Sequence, residues 1–260
     1  MRRILMQHKF SRTELLIGKS ALAKLSQSTV IIFGIGGVGS YTAEALARAG
    51  VGHLILVDYD EICLTNINRQ LHALHSTIGK AKVDVMKNRI LDINPKAKVD
   101  AVKEFFSAEN AESFLGQKPD YVVDAIDTVS GKVALAKECS QRNIPLIASM
   151  GAGNRLSAEN YRITDLSKTS GDPLAKAVRK LLRKEGITKG IKVVYSPDLP
   201  LTPLDTEADC RSNCICPGGD AHCALKRQIP GSISFVPPVS GLLMAGQVVN
   251  DLIADCPREA

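Results

Sequence analysis

Four glycines fall within six residues, Gly34-Ile35-Gly36-Gly37-Val38-Gly39, between an apolar segment rich in β-branched residues (TVIIF, 29–33) and a helix-forming segment (VGSYTAEALARAG, 38–50). A second apolar strand, HLILVD (53–58), follows after a short turn. Strand, glycine turn, helix and strand make a βαβ unit, and its crossover requires the two strands to be parallel. The alternation continues. Residues 80–93 place Val83, Met86, Ile90 and Ile93 at helical spacing, AKVDAV (97–102) reads as a third strand, and a short helix is expected over 107–115. YVVDAID (121–127) is a continuous apolar run suited to a strand covered on both faces. A helix over 131–142 and the strand IPLIASM (144–150) complete five alternations. The predicted fold is α/β, a doubly wound, mainly parallel Rossmann-like sheet through residue 153. Residues 154–260 read as an irregular extension packed on the same domain, with a strand near Tyr161, a basic helix, the strand KVVYS and a Pro- and Cys-rich loop. A short strand from Ser232, the pair Pro237-Pro238 and a helix over 241–254 close it.

Gly34, Gly36, Gly37 and Gly39 let backbone approach a phosphate at a helix N-terminus. Asp58 ends the second strand, 19 residues past Gly39, where an acid accepts hydrogen bonds from ribose hydroxyls. A dehydrogenase binding a nicotinamide dinucleotide would share that fingerprint. The next residues point elsewhere. Asn66 and Arg69 in LTNINRQ, and Lys82 in GKAK, supply an amide and two cations suited to a polyphosphate. Asp124 and Asp127 add carboxylates at the end of the fourth strand, where magnesium uses one or two carboxylates together with phosphates. The set reads as ATP-magnesium chemistry. Asp124 can equally serve to order the strand end, and Arg69 and Lys82 can be read as solvated surface cations.

GIGGVG, ARAGVGHLILVD, D-x-D-E-x-x-x-x-N-x-N-R-Q, G-K-A-K and D-A-I-D resemble, in order and spacing, the ubiquitin-activating-enzyme-like adenylyltransferases, which include ThiF and MoeB. The resemblance covers residues 12–153 and implies conversion of a carboxylate into an acyl-adenylate. By that resemblance Gly36 lies against the nucleotide, Asp58 holds the ribose, Asn66, Arg69 and Lys82 hold the phosphates, and Asp127 serves Mg2+. Arg12, in SRTELLIG, matches an arginine that reaches the neighbouring subunit's phosphates, which implies a homodimer. IPLIASMGAGN, TDLSKTSGDPLAKAVRK, KVVYS and RQIPGSISFVPPVSG extend the likeness over residues 7–254 to the branch that dehydrates threonylcarbamoyladenosine in tRNA. That branch uses ATP to activate the threonyl carboxylate, and the carbamoyl nitrogen then closes a ring, with AMP and pyrophosphate as products. Gly151 to Asn154 and Arg155, just past the fifth strand, are expected neighbours of the threonyl group.

The alternative within the superfamily is activation of the C-terminus of a ubiquitin-like sulfur-carrier protein, with a sulfur-transfer protein as partner. Such members commonly carry two Cys-x-x-Cys zinc pairs. This chain has seven cysteines and no such pair, but Cys210, Cys214, Cys216 and Cys223, with His222 alongside, could hold a structural Zn2+ or stand as plain thiols. Net charge is +6, from 33 basic and 27 acidic residues. Seven of the bases (Lys176, Arg179, Lys180, Arg183, Lys184, Lys189, Lys192) cluster with one acid, Glu185. That stretch, Arg179, Lys180 and Arg183 above all, is a candidate contact for tRNA phosphates, or else a solvated helix face. No run of 18 apolar residues exists and the N-terminus lacks a signal-type apolar core, so a cytoplasmic, membrane-free protein is expected.

Overall fold

The computed structural model describes residues 7–204 and 230–258. Helix α1 (Ser11–Gln27), bent at Gly18, leads into β1 (Thr29–Phe33), α2 (Gly39–Ala49) and β2 (His53–Val57). There follow α3 (Lys82–Ile93), β3 (Lys98–Val102), α4 (Ala111–Leu115), β4 (Tyr121–Asp124), α5 (Val129–Arg142) and β5 (Leu146–Ser149). The remaining elements are β6 (Arg162–Asp165), α6 (Pro173–Lys184), β7 (Lys192–Tyr195) and α7 (Val236–Leu252). Among the described residues the strands form one sheet in the order β3-β2-β1-β4-β5-β7-β6, parallel except for β6 against β7. The expected doubly wound, mainly parallel architecture is present, and the 154–260 segment adds β7 and β6 to its edge.

The two-faced burial anticipated from the apolar runs has a direct structural cause. Val30, Ile32, Leu54, Leu56 and Val123 face α2, α3 and α7, whereas Ile31, Phe33, Ile55, Val57 and Val122 face α4, α5 and α6. Alternate side chains point to opposite faces of a strand, so a sheet with helices on both sides requires every central residue to be apolar.

Three local expectations are corrected. The fourth strand ends at Asp124 rather than running to Asp127, because the Asp124 carboxylate accepts the Ile126 N–H at 3.0 Å and turns the chain. No strand forms from Ser232, and the last helix starts at Val236, ahead of the position expected. Its two prolines sit in the first turn, where the amide hydrogens they lack would have had no intrahelical partner. Helix α1 has no counterpart in the expected element order, because Gly18 interrupts its pattern.

Glycine substitutions separate close backbone contact from helix propensity. A Cβ on Gly39 would lie 1.8 Å from the Gly34 carbonyl oxygen, whereas one on exposed Gly246, inside α7, meets nothing within 4 Å. Urea unfolding should show Gly246→Ala stabilised by about 0.5–1 kcal/mol and Gly39→Ala destabilised.

Candidate active site

The strand order reverses direction between β1 and β4, and at the carboxyl ends of strands around such a point an α/β sheet opens a ligand crevice. The glycine turn sits there. Gly34 has φ +87°, and a Cβ on it would be 2.6 Å from the Ala125 carbonyl oxygen, so the loops leaving β1 and β4 touch backbone to backbone. Gly36 faces a gap whose nearest side-chain atom is Gln70 Nε2, 3.8 Å from an ideal Cβ position, and Gly37 packs between Arg69 and Pro237.

Asp58 leaves β2 beside this turn. Its Oδ2 accepts the Ile35 N–H at 2.6 Å and its Oδ1 accepts the Asp60 N–H at 2.9 Å. Burial pushes its carboxyl above the ordinary range while the Lys82 cation pulls it back. Lys82, also buried, starts α3 and reaches Asp60 at 2.6 Å and Asp58 at 4.0 Å. The 3-10 turn at Leu64–Asn66 is tied by the Cys63 N–H donating to Asn66 Oδ1 at 3.0 Å, and Arg69 follows three residues after it. Arg69 Nη1 donates to Thr65 O and Asn68 Oδ1, each at 2.9 Å. Burial lowers the Arg69 pKa, with the negative charge of Asp127 opposing it. Gly34, Gly36, Gly37, Gly39, Asp58, Asn66, Arg69, Lys82 and Asp127 are thus gathered at one edge of the sheet.

Asp124 and Asp127 divide their roles. Asp127 is exposed, but Asp124 is wholly buried and its Oδ1 is shared by Lys132 Nζ and the Ile126 N–H, both at 3.0 Å. Asp124 therefore orders the strand end, with a buried lysine the sequence reading did not identify. Arg155 is tied into the fold as well. Its buried guanidinium donates to Gly151 O at 2.9 Å, Asp198 O at 2.5 Å and Asp172 Oδ2 at 3.2 Å. It is a strut joining the ends of β5, β7 and the α6 N-cap, so no free guanidinium is presented to a ligand.

Arg12 lies elsewhere. Phe10, just before α1, packs against Gly50 at the C-terminal end of α2, and Lys9 reaches Asn94 beyond the C-terminal end of α3. The start of α1 therefore sits at the amino edge of the sheet, away from the cluster its own chain forms. On α6, Lys180 and Arg183 are exposed, whereas Arg179 is half-buried with Nη1 bonded to Leu166 O, Thr169 O and Thr169 Oγ1. Cys210, Cys214, Cys216, His222 and Cys223 lie outside the described residues; among the described ones no group of three or more His, Cys, Asp or Glu could hold a metal ion. No helix among the described residues is long and apolar enough to cross a membrane.

Two buried side chains next to the cluster escaped the sequence reading. Gln70 Oε1 and both ring nitrogens of His72 have no hydrogen-bond partner. Burial, Lys82 and Arg89 together drive the His72 pKa down to about 3. The unfolded imidazole takes a proton near pH 6.5, so below that the unfolded state binds more protons and stability falls with pH. Between pH 6 and 5, wild type should lose roughly 1 kcal/mol more than His72→Leu, read from urea unfolding at each pH.

Comparison with known proteins places the chain. The ThiF family model matches residues 10–258. The chain is 51% identical over 251 residues to a Bacillus subtilis tRNA threonylcarbamoyladenosine dehydratase, covering 96% of each chain. Against the Escherichia coli protein of that name it is 38% identical over 261 residues, covering 97% of this chain and 96% of the other. The crystal structure of the Escherichia coli enzyme in complex with ATP superposes with a TM-score of 0.83 at 34% identity, covering 97% and 96% of the two chains. A continuous match from before α1 to beyond α7 leaves one conclusion about descent: this chain belongs to the ThiF family.

Proposed function

We propose that the protein is an ATP-dependent tRNA threonylcarbamoyladenosine dehydratase. The observation that carries this reading is the gathering of Asp58, Asn66, Arg69 and Lys82 around the Gly34–Gly39 turn at the switch point of the sheet, in a chain matching dehydratases along its whole length. ATP is a substrate. The turn and the N-terminus of α2 receive its phosphates, Asp58 accepts from the ribose hydroxyls, and Arg69, Asn66 and Lys82 stabilise charge on the phosphates.

A threonyl carboxylate oxygen attacks the α-phosphorus, the bond to the β-phosphate breaks, and pyrophosphate leaves an acyl-adenylate. The carbamoyl nitrogen then attacks the acyl carbon, AMP departs with the former carboxylate oxygen, and the nitrogen's proton is released. One water is lost overall from the nucleoside. Both reacting groups belong to the substrate, so the protein's contribution to ring closure is orientation. Exposed Asp127, beside Arg69, fits the single carboxylate that magnesium needs alongside phosphates, and Mg2+ there would supply further charge neutralisation. Buried Asp124 does not fit that role.

Arg12 acts in a homodimer, reaching a partner's phosphates from the edge of the sheet opposite its own site. Arg69→Ala should cut formation of the nucleoside lighter by one water on the order of 100-fold or more with the fold intact. Arg12→Ala should do likewise, and mixing the two variants should restore turnover through sites that combine one subunit's Arg69 with the other's Arg12. No recovery on mixing would refute sharing of the site.

Residues 1–153 form the adenylation core and 154–260 contribute the tRNA contact through Lys180 and Arg183. Reversing both charges should weaken tRNA binding and reduce the slope of log K against log salt by about 0.7–0.9 for each phosphate no longer neutralised. An unchanged slope would remove α6 from the interface.

A further inference from the structure

Phe235 is 49% exposed, although Val236, Pro237 and Pro238 immediately after it are buried. The segment that carries it is pinned at three places along the carboxyl edge of the sheet. At its start, Gly231 O accepts the Asn154 N–H at 2.7 Å and the Gly231 N–H donates to Asn154 Oδ1 at 2.6 Å, which anchors it beyond β5. Ser232 O then accepts from Asn68 Nδ2 at 2.9 Å, the same amide whose Oδ1 receives Arg69 Nη1. At its end, Pro237 Cβ lies 3.2 Å from where a Cβ on Gly37 would stand. The segment therefore crosses from the exit of β5 to the exit of β1, and β4, whose following loop carries Asp127, lies between those strands. A large apolar ring is thus held half open to solvent beside Arg69 and the glycine turn, on backbone that is fixed at both sides.

We propose that Phe235 is a substrate-binding residue that stacks on the adenine of the threonylcarbamoyl nucleoside and holds its carboxylate toward the α-phosphate. The inference rests on the dehydratase reading and names the side chain that positions the second substrate. Bases in single-stranded RNA loops are commonly held by stacking on aromatic faces. Only a short ureido-threonyl arm separates this base from the reacting carboxylate, so fixing the plane of the ring fixes the region the carboxylate can sample. The cations around Arg69 grip the phosphates of ATP but offer no flat apolar surface to a purine, and Phe235 supplies one at the same edge.

The test is steady-state dehydration of tRNA bearing threonylcarbamoyladenosine by wild type, Phe235→Ala, Phe235→Leu and Phe235→Tyr, following nucleoside mass, with the KM for ATP measured in parallel. Leu keeps apolar bulk but has no π face, and Tyr keeps the face. Expected are a roughly 5- to 100-fold loss in kcat/KM for tRNA in Ala and Leu, retention in Tyr, and an unaltered KM for ATP throughout. With an active wild type, an Ala variant at the wild-type rate, or a Leu variant as good as Tyr, would overturn the stacking role alone. A wild type that gives no product lighter by one water would overturn the dehydratase reading itself and the adenine-stacking role with it.

Discussion

Close backbone contacts that admit no side chain hold the nucleotide end of the molecule together. The turn folds back so that Gly39 lies against the Gly34 carbonyl, Gly34 against the Ala125 carbonyl, and Gly241 of α7 against Val38 O, 2.4 Å from an ideal Cβ position. Each contact joins a different pair of elements: the start of α2 to the end of β1, β1 to β4, and α7 to the start of α2. The Thr42 hydroxyl donates to Gly241 O at 3.0 Å and Ser149 Oγ meets Ser240 Oγ at 2.8 Å, so α7 is fastened to both α2 and β5. That fastening explains how a helix from the far end of the sequence delivers Pro237 to the glycine turn and leaves Phe235 beside it.

On this backbone the charges are arranged by depth. Asp124 and Lys132 form an ion pair of which both members are buried, and such a pair fixes geometry more than it adds stability. Asp58, Asp60 and Lys82 form a second group that is open on the Asp60 side. Asp127 is exposed, with half-buried Arg69 beside it. Moving outward, charges change from struts of the fold to groups that a ligand can meet. Desolvation raises the Asp58 carboxyl even with Lys82 nearby, so two backbone N–H donors and that cation are needed to keep it an acceptor.

Much of this was legible in the sequence, and for physical reasons. The central strands are covered on both faces, so TVIIF, HLILV and YVVD announce themselves as continuous apolar runs. The glycine spacing and Asp58 locate the crevice because both requirements are local. What failed to show were partners distant in sequence. Arg179 reads as a free cation because its acceptors, Leu166 O and Thr169 O, become available only after a 3-10 turn folds back under α6. Arg155 reads as a ligand neighbour because nothing local announces carbonyls contributed by Ser196 and Asp198 across the sheet edge. Lys132 looks like an ordinary helix lysine until β4 places Asp124 beneath it. Pro237-Pro238 stands outside the helix expected from residue 241, although prolines in a first helical turn forgo bonds the helix would not have made.

The chemistry left to the protein matches what these groups can do. At neutral pH, His72 cannot serve as an acid, because its imidazole has already lost its proton, and it lies buried behind the cluster. The Cys139 thiol, pushed up to about 12 by burial and by the nearby Asp124, stays protonated on the core-facing side of α5. Neither side chain is built to attack an acyl group. Among the described residues, the accessible groups at the carboxyl edge include cations, amides and the carboxylates of Asp60 and Asp127, and such cations and amides suit a phosphorus centre gaining charge. A reaction that splits into adenylation, driven by fixed charge, and ring closure within one bound molecule asks for that inventory. Under the proposed reading, the first half draws on Arg69, Asn66 and Lys82, whereas the second draws on a surface that orients the nucleoside.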